Sequence, residues 1–158
     1  MKAGINVRPY ALECLAECEK MGFEVAIFTA SHQSYADAVL DKLIDPQRKY
    51  PRLYRQHCIR TNEGIYIKDL RVIRNRLLKD IILVDNAVYS FCFQLTNGVP
   101  ILPFYRDPHD KELLQLVTYL KNHLAKAKNM QLVNAQQFKL PLLAKQDLKT
   151  LISHAETI

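Results

Sequence analysis

Continuous hydrophobic runs alternate along this chain with stretches whose apolar positions recur every three or four residues. That alternation predicts buried strands and amphipathic helices in turn. Over residues 8–21, Ala11, Leu12, Cys14, Leu15, Cys18 and Met21 fall on one side of a helix. Pro9 suits its first turn, and Gly22 stands where a C-terminal cap belongs. Residues 23–28 follow as a strand, and Thr29-Ala-Ser-His32 separates it from a second helix over 33–44. Ala36, Val39, Leu40 and Leu43 make the stripe of that helix, and Asp45-Pro46 stops it.

Two short extended runs, near 53–60 and 65–68, flank Asn62-Glu-Gly64 and predict a small hairpin insertion outside the main sheet. Ile81-Ile-Leu-Val84 is apolar at every position, the pattern of a strand covered on both faces. Phe91-Cys-Phe is expected to pack beneath the loop that follows, Asn97-Gly98 to turn, and Val99-Pro-Ile-Leu102 to form a short edge strand. Residues 110–127 read as a helix with Leu113, Leu114, Leu116, Val117 and Leu120 inward, and residues 144–155 as a short amphipathic helix beyond Pro141. The expected fold class is therefore α/β with a mainly parallel sheet.

Composition changes this picture little. The chain has 158 residues, 49% of them hydrophobic and 24% charged, which fits one ordinary globular domain. No apolar run approaches the ~20 residues needed to span a bilayer, so no membrane association is expected. The N-terminus carries no secretory h-region, and an intracellular location, nucleus or cytoplasm, is the expectation. Cys14, Cys18, Cys58 and Cys92 form no CxxC pair and read as packed thiols.

The net charge of +6 favours an anionic partner. Its densest basic run, residues 68–79, is interrupted by Leu70, Val72, Ile73, Leu77 and Leu78 and has no aromatic residue for base stacking. A solvated face is the better reading there, and nucleic-acid binding through Arg71, Arg74 and Arg76 is the lesser one.

The candidate chemistry sits where strands end. In parallel sheets ligands bind beyond the carboxyl ends of strands, and a helix N-terminus there presents amides to an anion. Thr29 and Asp85 both stand just past a predicted strand, and Lys68 ends the second extended run. Together they suggest a phosphate pocket. Each residue also has a plain structural reading: Thr29 or Ser31 caps helix 33–44, Lys68 is one more solvated lysine, and Asp85-Asn86 is a strand-ending turn.

Their order and local wording shift the balance. Phe28-Thr-Ala-Ser31 with Tyr35-Ala-Asp37, then Tyr66-Ile-Lys-Asp-Leu70, then Leu83-Val-Asp-Asn86, resembles the small phosphatases acting on the RNA polymerase II C-terminal domain. These are the NLI-interacting-factor-like phosphatases of the haloacid dehalogenase superfamily. Val7-Arg-Pro9, Leu53-Tyr-Arg55 with Cys58, Asp85-Asn-Ala-Val-Tyr-Ser-Phe91 and Asn97-Gly-Val-Pro100 extend the likeness over about residues 5–124.

The resemblance implies a Rossmannoid parallel sheet with a small β-hairpin insertion. It also implies Mg²⁺-dependent hydrolysis of phosphoserine or phosphothreonine in a phosphoprotein substrate, through an aspartyl-phosphate. Thr29, with the amides of Ala30 and Ser31, would hold phosphoryl oxygens. Lys68 would neutralise their charge. Asp85 would fix Lys68 and the metal environment, Asn86 would help hold magnesium, and Arg55 would touch substrate. The phosphatase-like domain would cover 1–127, with 128–158 as a helical C-terminal extension.

One departure stands out. Family members open with an apolar strand ending in Asp-x-Asp-x-Thr, which brings the nucleophile and the general acid/base. No Asp-x-Asp occurs anywhere in the 158 residues. The expectation is a domain lacking its first central strand and without turnover as it stands: a truncated phosphatase first, a phosphopeptide-binding or scaffold pseudophosphatase second. A further segment or chain that supplies the strand by β-addition is the third possibility.

Overall fold

The computed structural model describes residues 5–140, so the helix expected over 144–155 lies outside the described residues. The described residues divide into two compact units, one formed by 5–54 together with 102–126, the other by 55–101 together with 127–140.

The first unit begins with α1 (Ala11–Lys20). Its end is capped as Gly22 promised: at φ +87 the glycine turns the chain back, its amide donates to Glu19 O, and the Phe23 amide donates to Cys18 O. Pro9 stands before the helix and not within its first turn, because Tyr10 takes the N-cap position with a left-handed φ of 63°.

The strand expected over 23–28 narrows to β1 (Ile27–Phe28), which pairs in parallel with β2 (Arg52–Leu53). Pro51 has no N–H to extend the ladder, although its carbonyl accepts from Ile27. Leu53 therefore belongs to a parallel pair and not to the hairpin. Between the strands lies α2 (Gln33–Leu43), with Ala36 buried, making a β–α–β unit. α1 packs against α3 (Glu112–Tyr119), whose helical path continues through a wider turn to Leu124. Leu116, Leu120 and Leu124 are buried there, whereas Leu114 is 39% exposed and not inward.

Arg52 ties this unit together from within. Its side chain is 5% exposed and donates to Asp37 at 2.8 Å, Asp41 at 2.7 Å and Asp45 at 3.0 Å, all on or just after α2. The hydrogen bond from Arg52 and a second from the Tyr54 hydroxyl hold the Asp37 carboxyl below the usual carboxylate range. Burial pushes Asp45 up, but the Lys49 amide, Arg52 and the Tyr50 amide outweigh it and bring it down.

The second unit contains the hairpin that was expected, reduced to β3 (Ile59–Arg60) and β4 (Tyr66–Ile67), antiparallel across a turn in which Gly64 has φ +83. Ile67 and Cys92 are buried together, with Ile59 and Phe93 packed on them. β5 (Leu83–Asp85) and β6 (Gly98–Pro100) form a parallel pair joined by 3₁₀ turns over Val88–Asn97. Phe91 is fully buried in that connection.

Gly98 proves to be a contact glycine and not a turn glycine: a Cβ there would stand 2.0 Å from the Phe91 ring. Asn97, also fully buried, donates to the carbonyls of Leu78 and Ile81 and accepts from Gln131. Gln131 and buried Asn134 belong to α4 (Met130–Phe138), and Asn134 donates to Gly98 O, so α4 is bonded into this unit. All four cysteines are free thiols, and Cys14 and Cys92 are buried, in line with packed thiols. Among the described residues no helix is long and apolar enough to cross a membrane.

Candidate functional site

Of the residues singled out from the sequence, the second unit holds Arg55, Lys68, Asp85 and Asn86, and brings Lys68 and Asp85 together. Asp85 is the last residue of β5, 9% exposed, and its amide-flanking turn forms at once: Oδ1 accepts from the Ala87 N–H at 2.8 Å. That is the strand-ending turn foreseen for Asp85-Asn86. Its other oxygen, Oδ2, accepts from Lys68 Nζ at 2.5 Å.

Lys68 follows β4 directly, and its backbone N–H is held by Ser90 O at 2.6 Å. With its side chain 13% exposed, Lys68 is not the solvated lysine of the plain reading. Three elements thus position the pair: β5 delivers the carboxylate, and the hairpin together with the 88–97 connection fixes the lysine. Asn86 is exposed beside them in sequence.

Arg55 belongs to the same neighbourhood. Its guanidinium stacks 4.8 Å from the centre of the Tyr66 ring, two residues ahead of Lys68. Burial pushes the Cys58 thiol up, and the charges of Lys68 and Arg55 pull it back, opposed by Asp85. Cys58, Arg55, Lys68 and Asp85 therefore share one electrostatic environment.

The first unit holds Thr29, Ala30 and Ser31, directly after β1. The Thr29 N–H donates to Leu53 O at 2.9 Å, continuing the parallel ladder by one bond. Its Oγ1 accepts from the Ser31 N–H at 3.1 Å, so the hydroxyl and that amide are turned onto one another. The N-cap position of α2 falls to His32, so the capping expected of Thr29 or Ser31 is not theirs at that position.

Three features escaped the sequence. Asp69, next to Lys68, is buried and accepts from Arg71 and from Gln94 Nε2, while Gln94 Oε1 accepts from the Leu70 N–H. Burial pushes the Asp69 carboxyl up, yet Arg71 and Gln94 hold it below its ordinary value. Ser90, whose carbonyl anchors Lys68, buries a hydroxyl with no hydrogen-bond partner among the described residues. Arg8 forms a two-pronged bond with Asp110, at 2.8 and 2.7 Å. Only the first leaves a local signal, Asp69 standing two residues before Arg71; long-range pairs leave no local pattern.

Magnesium takes about six oxygen ligands in octahedral array, several of them waters and the rest chiefly carboxylates. Asp85 offers one carboxylate, already engaged by Lys68 and the Ala87 amide, and Asn86 one carboxamide. Among the described residues no group of three or more His, Cys, Asp or Glu is placed to hold a metal ion. This donor set does not by itself fit a magnesium site. What the arrangement can do is present a buffered, partly buried cation to an anion.

Comparison with known proteins agrees with the motifs. The family profile described as NLI interacting factor-like phosphatase matches residues 1–131. CTD small phosphatase-like protein 2 of Dictyostelium discoideum is 46% identical over 116 residues, covering 73% of this chain and 20% of that protein. CTD small phosphatase-like protein 3 of Caenorhabditis elegans is 40% identical over 119 residues, covering 74% and 40%. CTD nuclear envelope phosphatase 1B of Danio rerio is 34% identical over 117 residues, covering 73% and 46%. The chain spans less than half the length of each of these relatives.

Proposed function

The chain belongs to the NLI interacting factor-like phosphatase family, and on that premise we propose that it is the phosphate-recognising part of a phosphoserine/phosphothreonine protein phosphatase. The observation that carries this reading is the Lys68–Asp85 ion pair at the carboxyl end of β5. Phosphoryl transfer is mainly positioning and charge stabilisation, and a lysine held by a buried carboxylate is suited to both.

In this reading Lys68 neutralises the phosphoryl group and Asp85 keeps the ammonium in place. Thr29, with Ala30 and Ser31 in the first unit, is proposed separately as a phosphate contact, the Ser31 N–H being turned onto the Thr29 hydroxyl oxygen. Asn86 and Asp85 would supply only part of a magnesium shell, so the metal needs further ligands. Arg55, braced on Tyr66, contacts the phosphoprotein substrate. Residues 1–127 form the phosphatase-like domain in this reading, and 128–158 extend it, with Gln131 and Asn134 of α4 bonded to Asn97 and Gly98.

The 158 residues hold no Asp-x-Asp and therefore no family nucleophile. We propose that alone they bind phosphate without turning it over, and that catalysis needs a strand bearing that motif, from the same or another polypeptide.

The test is direct. The purified chain should bind inorganic phosphate or tungstate by calorimetry, weakened at least about tenfold by Lys68→Ala, since a charge-assisted contact is lost. It should release no phosphate from a phosphoserine peptide with Mg²⁺. Turnover that Asp85→Ala abolishes would overturn the inactivity, and binding indifferent to Lys68→Ala would remove that residue from the site. Mapping the N-terminal peptides of the native protein separates the remaining readings. A product with Asp-x-Asp-x-Thr ahead of Arg8 makes it a magnesium phosphatase; its absence there favours a scaffold role.

A further inference from the structure

We propose that the exposed loop from Arg71 to Leu77 is a docking surface for an acidic peptide segment of a protein partner, one whose carboxylates alternate with apolar side chains. The surface involves none of the residues assigned to phosphate and stands independently of turnover.

Arg71 is the built part of it. Asp69 accepts from the Arg71 backbone N–H at 2.9 Å, from Nε at 2.9 Å and from Nη2 at 2.6 Å. Gln94 holds Asp69 in turn at 2.9 Å, and the guanidinium lies 5.5 Å over the Phe93 ring. Even so, the Arg71 side chain is 65% exposed. Such an arginine is preorganised, so little rotamer freedom is lost when it meets an anion.

Arg74 and Arg76 follow in the same exposed loop. Among these arginines stand Val72, 37% exposed, and Leu77, 63% exposed, two aliphatic side chains set in a basic surface. Within residues 55–101 there are seven Lys and Arg against four Asp and Glu. Two of those acids, Asp69 and Asp85, are buried beneath a cation. The outward charge of the loop is thus positive.

A peptide fits this pattern better than a nucleic acid does. Guanidinium forks match carboxylates, and Val72 and Leu77 gain only from apolar side chains, which a phosphate backbone lacks. The loop carries no aromatic for base stacking, and the face of Phe93 is covered by Arg71.

Fluorescence anisotropy with the full 158-residue chain tests this. The probe is a fluorescein-labelled peptide of repeating Glu-Leu-Asp triplets; an all-Glu peptide and a twenty-nucleotide oligouridylate are the comparisons. Saturable binding should fall at least about tenfold with R74E/R76E, both exposed and so compatible with folding, which circular dichroism would verify. Leu77→Ser should weaken the Glu-Leu-Asp peptide several-fold and the all-Glu peptide hardly at all. Absence of saturable binding, indifference to R74E/R76E, or equal response of both peptides to Leu77→Ser would overturn the proposal. Tighter binding of the oligouridylate through the same arginines would replace it with a nucleic-acid surface.

Discussion

Lys68 and Asp85, seventeen residues apart, form a 2.5 Å ion pair in which the lysine side chain is 13% and the aspartate side chain 8% exposed. A pair this dry is asymmetric in its energetics. The net contribution of the intact pair is small, because both charges lost their hydration, but loss of one partner strands the other.

Asp85→Ala or Lys68→Met should therefore each destabilise the fold by about 3 kcal/mol, whereas Lys68→Met with Asp85→Leu should cost about 1 kcal/mol or less. Urea unfolding of the three variants completes the cycle. Additive single effects would mean that the pair is solvated in solution.

Gly98→Ala should be far more harmful than its chemistry suggests. The added Cβ would meet the Phe91 ring at 2.0 Å, and Phe91 has no exposed direction in which to retreat. A loss of about 2–3 kcal/mol is expected, as for overpacking in a rigid core. Phe91→Leu in the same chain should recover part of it in thermal melts; a Gly98→Ala protein as stable as wild type would refute the contact.

Ser90→Ala should leave stability unchanged or raise it by about 1 kcal/mol, since it removes a buried hydroxyl that has no partner among the described residues. Chemical denaturation decides this. A clear loss would show that the hydroxyl is satisfied in solution, and phosphate binding measured alongside would tell whether the Lys68 anchor moved.

The Arg52 cluster sets an acid limit. Asp37, Asp41 and Asp45 all have carboxyls held below their ordinary range, with Arg52 among the causes in each case. Folded values below unfolded ones mean stability that is complete above the usual carboxylate range, near pH 4. It is lost as the pH falls further through the depressed values. Arg52→Met should move the acid-unfolding midpoint, followed by circular dichroism, to higher pH. An unmoved midpoint would mean that other carboxylates govern acid unfolding.

The local record in the sequence was good wherever short-range physics decides. The periodic stripe of α2 placed that helix within a residue of its observed end, because side chains three and four apart share a face whatever lies opposite. Gly22 was legible as a cap for the same reason: only a residue tolerant of positive φ ends a helix that way. The turn at Asp85 and Asn86 could also be read, since an Asx carboxylate reaches its own i+2 amide.

Partners distant in the chain could not be read. That Lys68 is half of a buried pair, that Arg52 gathers three aspartates, and that Gly98 yields its side-chain space to Phe91 depend on contacts made only after packing. Leu53 illustrates the same limit. Its sequence suits either a hairpin or a parallel strand, and β1 decided for the latter by supplying the hydrogen bonds. By itself the sequence determined the family, the stripes of α1, α2 and α3 and the identity of the chemical groups. Tertiary structure alone decided which charges are shielded from water, because desolvation is a property of neighbours and not of residues.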